Sequence, residues 1–230
     1  MHESSARRRF RSGVAVIAYA DGLVSGPLYR HVKAFAASAP GRRRVLDFGC
    51  GDQPYRELFE SSGADYVAAD IDGSPDVRIA PGERLPFESG SFDSVVSFQV
   101  LEHVRDVLFY LGECRRALRP GGRLFLSTHG TWPYHPHPTD FWRWTREGLR
   151  AVVEEAGFTV ERMIPVCGPG AWLPMFPLLV GQRLLRRSAV LLAPINVPVN
   201  LLALAADRLT PAGVRDNNAA VYIVEACVGP

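Results

Sequence analysis

The sequence predicts an α/β protein built around a parallel sheet, and three observations support this fold class. From Val45 onward, short apolar runs alternate with amphipathic stretches, which is typical of repeated strand–helix–strand units. Glycine and proline residues separate these runs, as expected for the turns between elements. The 230 residues are 47% hydrophobic and 22% charged, which provides enough apolar material for one sizeable core.

The individual elements follow from this alternation. Helices are expected near residues 54–62, 105–118 and 145–156, where apolar residues recur at three- and four-residue spacing. The run from Arg119 to Gly122 should end the second helix, because proline and glycine interrupt helices. Strands are expected near residues 44–48, 65–69, 76–79, 93–98, 122–128, 158–166 and 219–228.

Residues 1–40 are interpreted as an N-terminal basic segment with a helix, and residues 41–230 as the main domain. Arginines cluster at residues 7–11, and the apolar run 13–20 predicts the helix. No small-residue cleavage site follows that run, so a signal peptide is not predicted. The net charge of +2 gives no reason to expect a nucleic-acid partner. Four well-separated cysteines indicate reduced thiols in a cytoplasmic protein.

Residues 168–218 interrupt the alternation and predict a helical insertion before the last strand. No residue between Arg187 and Asp207 is charged, and this stretch approaches the ~20 apolar residues of a membrane-spanning helix. Prolines and asparagines in its middle argue against a spanning helix. We expect two short helices instead. A lid, a homodimer face and a peripheral contact with the inner face of the membrane are the three alternatives for their role.

The run 45–51 gives the strongest indication of a ligand site. An apolar strand ends at Asp47, and Gly49 and Gly51 allow a turn with positive φ that brings bare backbone against a ligand. A second acid, Asp70, follows the next apolar run. The third glycine of the dinucleotide fingerprint is missing, which argues against a nicotinamide cofactor.

Three further motifs follow in order, at residues 83–87, 91–104 and 118–124. With them, residues 40–165 resemble the class I S-adenosylmethionine-dependent methyltransferases, in particular the small-molecule, methyltransferase-11-like branch. The resemblance implies a Rossmann-like, doubly wound sheet of seven mostly parallel strands, with an antiparallel last strand and a helical insertion before it. It also implies S-adenosyl-L-methionine as the cofactor.

The resemblance assigns cofactor contacts by position. The glycine loop would wrap the methionine part, and Asp70 would bind both ribose hydroxyls, because a carboxylate accepts a hydrogen bond from each. Asp72 is the competitor for that role. Residues 80–82 lack the acid that the family often places before the 83–87 loop. The expected cofactor residues are Asp47, Phe48, Gly49, Cys50, Gly51, Asp70, Ile71, Glu83, Arg84, Leu85 and Gln99.

The loop at 127–145 is rich in histidine and tryptophan and follows the fifth strand, at the edge where parallel sheets bind ligands. It resembles a segment found in a subset of these methyltransferases. His135 and His103 are the candidate catalytic bases, since a histidine can take the proton of a hydroxyl. The expected acceptor-binding residues are His129, Trp132, Tyr134, His137 and Asp140.

The alternative is a rigid, aromatic-packed loop in which Asp140 pairs with Arg143. No metal is expected, because the histidine spacing is unsuited to a tetrahedral site.

The predicted reaction is methyl transfer to a small-molecule hydroxyl on a saccharide, a lipid-linked compound or a natural product. C- or N-methylation of a quinone-like or natural-product substrate is one alternative. A non-catalytic membrane-surface or partner-binding module on the same fold is the other, and the intact glycine loop argues against it.

Overall fold

The computed structural model describes residues 18–39, 41, 43–136, 139–185 and 189–229. Seven strands form one sheet in the order β3-β2-β1-β4-β5-β7-β6. Neighbours among β1 to β5 are parallel, whereas β7 runs antiparallel to both β5 and β6. In the described part of the chain, three helices lie between β6 and β7. The predicted fold class is therefore confirmed, including the antiparallel last strand and the helical insertion.

The strands are β1 Arg44–Phe48, β2 Asp65–Asp70, β3 Val77–Arg78, β4 Phe92–Phe98, β5 Leu118–His129, β6 Thr159–Val166 and β7 Val221–Cys227. The helices are α1 Gly22–Ala37, α2 Arg56–Glu60, α3 Val107–Ala117, α4 Arg146–Glu155, α5 Pro169–Leu185, α6 Ala189–Leu209 and α7 Ala212–Asn217. A short 3-10 helix, Leu101–His103, follows β4.

The fifth strand begins earlier than expected. Helix α3 ends at Ala117, just before the Pro-Gly-Gly run, as the sequence predicts. Strand β5 starts at once with Leu118, rather than at residue 122, because Leu118 pairs with Phe92. The register then shifts between Phe92 and Ser94, which accommodates the turn-forming residues inside the strand.

Helix α1 is not among the helices expected from the sequence. The helix expected at 13–20 lies mostly outside the described residues. The division of the chain into an N-terminal segment, 1–40, and a main domain, 41–230, stays a prediction. Along α1, Leu28, Val32 and Phe35 are buried against one face of the sheet. The ring of Phe35 lies 4.8 Å from that of Phe125 on β5. Their four- and three-residue spacing is the helical signal that could have revealed α1.

The insertion forms two long helices rather than short ones, α5 of 17 residues and α6 of 21 residues. Its prolines lie inside these helices. The buried amides of Asn196 and Asn200 donate to the carbonyls of Ala18 and Tyr19, at 2.8 and 2.9 Å. The polar groups in this apolar stretch therefore bind the chain just before α1. Among the described residues, we find no helix with the length and hydropathy of a membrane span.

Apolar clusters cover both faces of the sheet. Helices α1, α2, α5 and α6 contribute to one cluster, and α3 and α4 contribute to the other. On the second face, Tyr110 stacks on Phe48 with ring centroids 4.1 Å apart. Its hydroxyl donates to the Phe48 carbonyl at 2.8 Å and lies 2.8 Å from the Ser97 hydroxyl. Tyr110 thereby holds the end of β1, directly before the glycine turn.

Replacing Tyr110 with phenylalanine should lower the free energy of unfolding by about 1–3 kcal/mol, because the buried Phe48 carbonyl loses its donor. Chemical denaturation measures this difference. Tyr134→Phe is the control, since Tyr134 is 67% exposed and its change should stay within about 0.5 kcal/mol. Equal stability of the Tyr110→Phe variant and the parent protein would contradict the role of this hydroxyl.

Candidate functional site

The glycine turn after β1 presents bare backbone to an open space. Gly49 has φ of +82°, and a Cβ there would lie 2.5 Å from Cγ2 of Val100, so only glycine fits. The Gly49 amide donates to the Ala69 carbonyl at 2.8 Å. Gly51 has φ of +49°, but a Cβ there would meet no described atom within 4 Å. The packing thus requires Gly49, whereas the space beside Gly51 is free to take a ligand.

Asp70, at the end of β2, is connected directly to this turn. Its Oδ2 accepts a hydrogen bond from the Gly51 amide at 2.7 Å, and its Oδ1 accepts from the Ile71 amide at 2.6 Å. The carboxylate of the competitor Asp72 accepts from the Gly73 amide at 2.8 Å instead. Ile71 is 38% exposed beside Asp70. Asp70 is therefore the acid that shares a surface with the glycine turn.

Asp47 is a fully buried carboxylate at the end of β1. Its Oδ2 accepts a hydrogen bond from the Tyr66 hydroxyl, and its Oδ1 has no partner among the described residues. Burial raises the pKa of Asp47 to about 7; the charge of Asp70 adds to this shift and the Tyr66 hydrogen bond opposes it. The unpaired Oδ1 is an acceptor that a cationic or donor group of a ligand would satisfy.

Three predicted cofactor residues place their side chains in the core. Phe48 stacks on Tyr110, while Cys50 and Leu85 are each 3% exposed. Burial raises the pKa of the Cys50 thiol, so this cysteine is not a reactive thiolate. These residues offer a ligand their backbone rather than their side chains.

The loop at 83–87 is held by two residues of α3 that the sequence analysis missed. Glu113 accepts from the Leu85 amide at 2.9 Å, and Arg116 donates to the Leu85 and Phe87 carbonyls at 2.9 and 2.7 Å. The Arg116 hydrogen bond holds the pKa of Glu113 below its ordinary value. Their three-residue spacing on a helix was the available signal. Glu83 and Arg84 lie on the exposed side of this loop.

Gln99 follows β4 with φ of +57°, a left-handed conformation that costs a non-glycine residue energy and is concentrated at ligand sites. Its backbone amide donates to the Ser127 carbonyl at 2.9 Å, and its side-chain Nε2 donates to the Ser127 hydroxyl at 3.0 Å. The buried Oε1 has no partner within the described part of the chain. Gln99 thus connects the ends of β4 and β5 and retains one acceptor for a ligand.

Glu102 is a further residue that the sequence analysis did not single out. It is completely buried, and its Oε2 accepts a hydrogen bond from the Thr128 hydroxyl at 2.8 Å. Its Oε1 lies 2.7 Å from Nδ1 of His129 and 4.0 Å from Nε2 of His103. Burial alone would raise the pKa of Glu102, but His129 and Thr128 outweigh burial and lower it. An acid inside the apolar run 100–104 was the available signal.

The structure brings His129, His135 and His103 together, and we call these three residues the histidine cluster. The His129 and His135 rings are 6.0 Å apart at 89°, and the His103 and His135 rings are 5.7 Å apart. His129 also stacks on Trp132, with centroids 4.8 Å apart and planes 4° apart. Nδ1 of His103 lies 2.6 Å from the Thr139 carbonyl. The two candidate bases and two predicted acceptor residues therefore share one site.

The remaining predicted acceptor residues differ in position. The Asp140 carboxylate pairs with Arg143 through two contacts of 2.5 Å and accepts from the His135 amide at 2.7 Å. Burial raises the pKa of Asp140, but Arg143 and the His135 amide lower it below its ordinary value overall. The Asp140–Arg143 pairing is thus confirmed. Tyr134 is largely exposed, and His137 lies outside the described residues. We find no three-residue metal-binding group in the described ranges.

Aromatic rings continue from the histidine cluster onto α5. Trp132 meets Phe176 edge to face at 6.2 Å, and Phe176 stacks on Trp172 at 5.0 Å. The indole of Trp172 donates to the Asn218 carbonyl at 2.9 Å, which holds it in place. We call His129, Trp132, Phe176 and Trp172 the aromatic track. Its α5 members, Trp172 and Phe176, are not among the site residues expected from the sequence.

The proteins to which the chain is similar in sequence are methyltransferases. Residues 22–162 match the methyltransferase domain family. A probable S-adenosylmethionine-dependent methyltransferase of Mycolicibacterium smegmatis is 31% identical over 213 residues, covering 82% of each chain. A ubiquinone biosynthesis O-methyltransferase of Rhizobium rhizogenes is 36% identical over 100 residues, which are 37% of this chain and 40% of that protein. The chain thus matches about two fifths of that relative's length.

Solved structures show the same fold at low sequence identity. A phosphoethanolamine N-methyltransferase 2 of Haemonchus contortus, in complex with S-adenosyl-L-methionine, superposes with a TM-score of 0.58 at 15% identity. That alignment covers 99% of this chain and 61% of the other. The matched domain, the relative that is aligned over 82% of each chain, and the sheet order agree. The chain therefore belongs to the class I S-adenosylmethionine-dependent methyltransferases, a family of enzymes whose cofactor is S-adenosylmethionine.

Proposed function

We propose that the protein transfers a methyl group from S-adenosylmethionine to a hydroxyl oxygen of a small-molecule acceptor. The observation that carries this proposal is the histidine cluster. His129 and His103 lie beside the buried carboxylate of Glu102, which is close to the glycine turn. Val100 packs against Gly49, and Glu102 follows two residues later in the chain. A histidine there is suited to take a hydroxyl proton. The printed name of the Rhizobium rhizogenes relative, an O-methyltransferase, also favours oxygen as the acceptor atom.

The residues around the glycine turn fit the cofactor. The unpaired Oδ1 of Asp47 is suited to the ammonium group of its methionine part. The open space beside Gly51 admits a ligand where a side chain would intrude. Asp70 retains one acceptor position for a ribose hydroxyl, because a carboxylate has about four lone-pair sites and three are engaged. Ile71 offers an exposed apolar surface for the adenine.

The cofactor supplies a methyl group already activated by its sulfonium charge, so the protein's main contribution is alignment. In this proposal the glycine turn and Asp70 orient the cofactor, and the aromatic track orients the acceptor. The histidine cluster accepts the hydroxyl proton, and His135, His103 and His129 are its candidate bases. Burial of His129 and Glu102 limits competition from water.

The aromatic track favours an acceptor with a flat or apolar body, because such surfaces stack on aromatic rings. The track leads to the insertion, where α5 and α6 expose several large apolar side chains: Leu173, Val180, Leu184, Ile195, Leu201, Leu202 and Leu209. We therefore favour a lipid-linked hydroxyl compound that the protein meets at a membrane surface. Transfer to carbon or nitrogen of a quinone-like compound is the alternative, in which no histidine base is required.

A methyl-transfer screen tests the proposed function. Lipid-linked phenols and saccharides should yield S-adenosylhomocysteine, whereas matched analogues that lack the free hydroxyl should yield none above background, since they have no acceptor oxygen to attack the methyl carbon. The product is detected by mass spectrometry. Calorimetry with S-adenosylmethionine shows whether the cofactor binds. Equal turnover of the hydroxyl-free analogues would overturn O-methylation in favour of carbon or nitrogen transfer.

Asp47 should make cofactor affinity depend on pH. Its pKa of about 7 means that the carboxylate is protonated as the pH falls below that value, so affinity should weaken by about tenfold between pH 8 and pH 6. Asp47→Asn should bind weakly at both pH values. Asp65→Asn, at the opposite end of β2, is the control and should retain the pH dependence. Calorimetric titrations measure these affinities, and a flat profile for the parent protein would contradict the role of Asp47.

The same pKa has the opposite consequence for stability without cofactor. The folded protein takes up this proton at a higher pH than the unfolded chain, whose value is near 3.8. Its contribution to the free energy of unfolding therefore decreases as the pH rises from about 4 to about 7, and Asp47→Asn should lack that contribution.

The exposed apolar face of the insertion should bind lipid. Replacing Leu184 and Leu202, which are 78% and 72% exposed, by serine should lower binding to phosphatidylglycerol vesicles at least about tenfold, because two apolar contacts are lost. Leu108→Ser on α3, where Leu108 is 44% exposed, is the matched control. Vesicle co-sedimentation gives the readout. Equal sedimentation of the variant, with a mass change at higher concentration, would favour the homodimer face instead.

A further inference from the structure

Glu102 requires an explanation beyond packing. A buried carboxylate loses its hydration, and the loss is compensated only if the groups around it donate to it with good geometry. Glu102 is completely buried, and its Oε2 accepts a hydrogen bond from the Thr128 hydroxyl at 2.8 Å. Its Oε1 lies 2.7 Å from Nδ1 of His129, a charge contact that lacks the alignment of a hydrogen bond, so the charge of Glu102 acts on this ring at close range. Its own carbonyl accepts from the amides of Phe141 and Trp142, at 2.8 and 3.3 Å. The Glu102 carboxylate therefore lies where the end of β5 meets the histidine- and tryptophan-rich loop that follows this strand.

We propose that Glu102 is a positioning residue that holds His129 in one tautomer and makes His129 the proton acceptor of the reaction. A carboxylate beside Nδ1 favours the tautomer that carries its proton there, which leaves the lone pair on Nε2, on the other side of the ring. This inference rests on the proposed transfer to a hydroxyl. It assigns the base to His129, which the sequence analysis considered only as an acceptor-binding residue.

The surroundings of His129 fix the ring more firmly than those of the other two histidines. His129 is the last residue of β5, pairs with Val221 in the sheet, and its carbonyl accepts from the Trp144 amide at 3.1 Å. Trp132 covers one ring face. His135 lies instead on the irregular loop after β5. The Thr139 carbonyl, 2.6 Å from Nδ1 of His103, favours the same tautomer there, but His103 belongs to a three-residue 3-10 helix rather than to the sheet. A strand-borne, stacked imidazole is the better preorganised base.

The acceptor oxygen forms a bond to the methyl carbon while the bond from that carbon to sulfur breaks, and the electron pair of the broken bond stays on sulfur. The hydroxyl proton moves to Nε2 of His129, which becomes an imidazolium. The charge of Glu102 stabilises this cation at 2.7 Å from Nδ1. The products are the methyl ether and S-adenosylhomocysteine, and the proton later leaves His129 for solvent.

The test uses the full chain with Glu102→Gln, which keeps the shape of the side chain and removes its charge. In ¹⁵N spectra of the histidine rings, the parent protein should show His129 with its proton on Nδ1, and the variant should show a mixture of tautomers, because an amide both donates and accepts. This readout needs no acceptor. Glu225→Gln is the matched control, since Glu225 on β7 is also largely buried, with its side chain 12% exposed beside Arg162 and Arg123.

Kinetics complete the test. Glu102→Gln should lower kcat about 100-fold, with the acceptor KM and the cofactor affinity changed less than about threefold. The double variant with Glu102→Gln and His129→Asn should have the same kcat as the His129→Asn variant, because both substitutions remove the same function. Unchanged ring spectra in folded Glu102→Gln protein, or additive effects of the two substitutions, would overturn the proposal. Failure of O-methylation itself would leave the tautomer result intact, so the two failures are distinguishable.

Discussion

The contact between Gly49 and Val100 is the constraint on which the arrangement of the site depends. A side chain at Gly49 would overlap Val100, so the turn after β1 reaches the end of β4 only because Gly49 has none. This approach places the proposed cofactor turn next to the segment that carries Leu101, Glu102 and His103. The residues proposed for cofactor binding and those proposed for proton transfer, which are far apart in the chain, thereby share one edge of the sheet. Parallel sheets bind ligands at this edge because their strands all end there.

Two buried carboxylic acids near this edge, Asp47 and Glu102, have pKa values shifted in opposite directions. Asp47 is buried with one unpaired oxygen, so its pKa rises. Glu102 is equally buried, yet its donors lower its pKa. The two pKa shifts differ because the two carboxylates have different hydrogen-bonding surroundings, not because one is more deeply buried than the other. Among the described residues, Asp47 accepts from the Tyr66 hydroxyl, whereas Glu102 accepts from the Thr128 hydroxyl and also lies 2.7 Å from Nδ1 of His129. Glu102 is therefore tied more strongly to its protein neighbours.

The sequence predicted the order of the strands, the positive-φ glycine turn and the position of Asp70 at the end of β2, because these features depend on local rules, whereas the start of β5 was predicted too late. Apolar alternation and glycine conformation need no knowledge of distant residues. It missed α1, whose apolar spacing was present in the sequence, and it expected short insertion helices where α5 and α6 are long. The prolines suggested breaks, but both helices contain them. Proline is a local signal that tertiary packing overrides.

By itself, the sequence determined the fold class and the order of the motifs, because hydrophobic period and turn chemistry are written along the chain. Only the tertiary structure decided which side chains meet. Glu102 and His129 belong to different segments of the sequence, and they come together because β4 and β5 pair in parallel and end at the same level. Trp172 and Phe176 join the aromatic track because α5 packs beside the loop of Trp132. Contacts of this kind depend on strand register and helix packing, which no local pattern specifies.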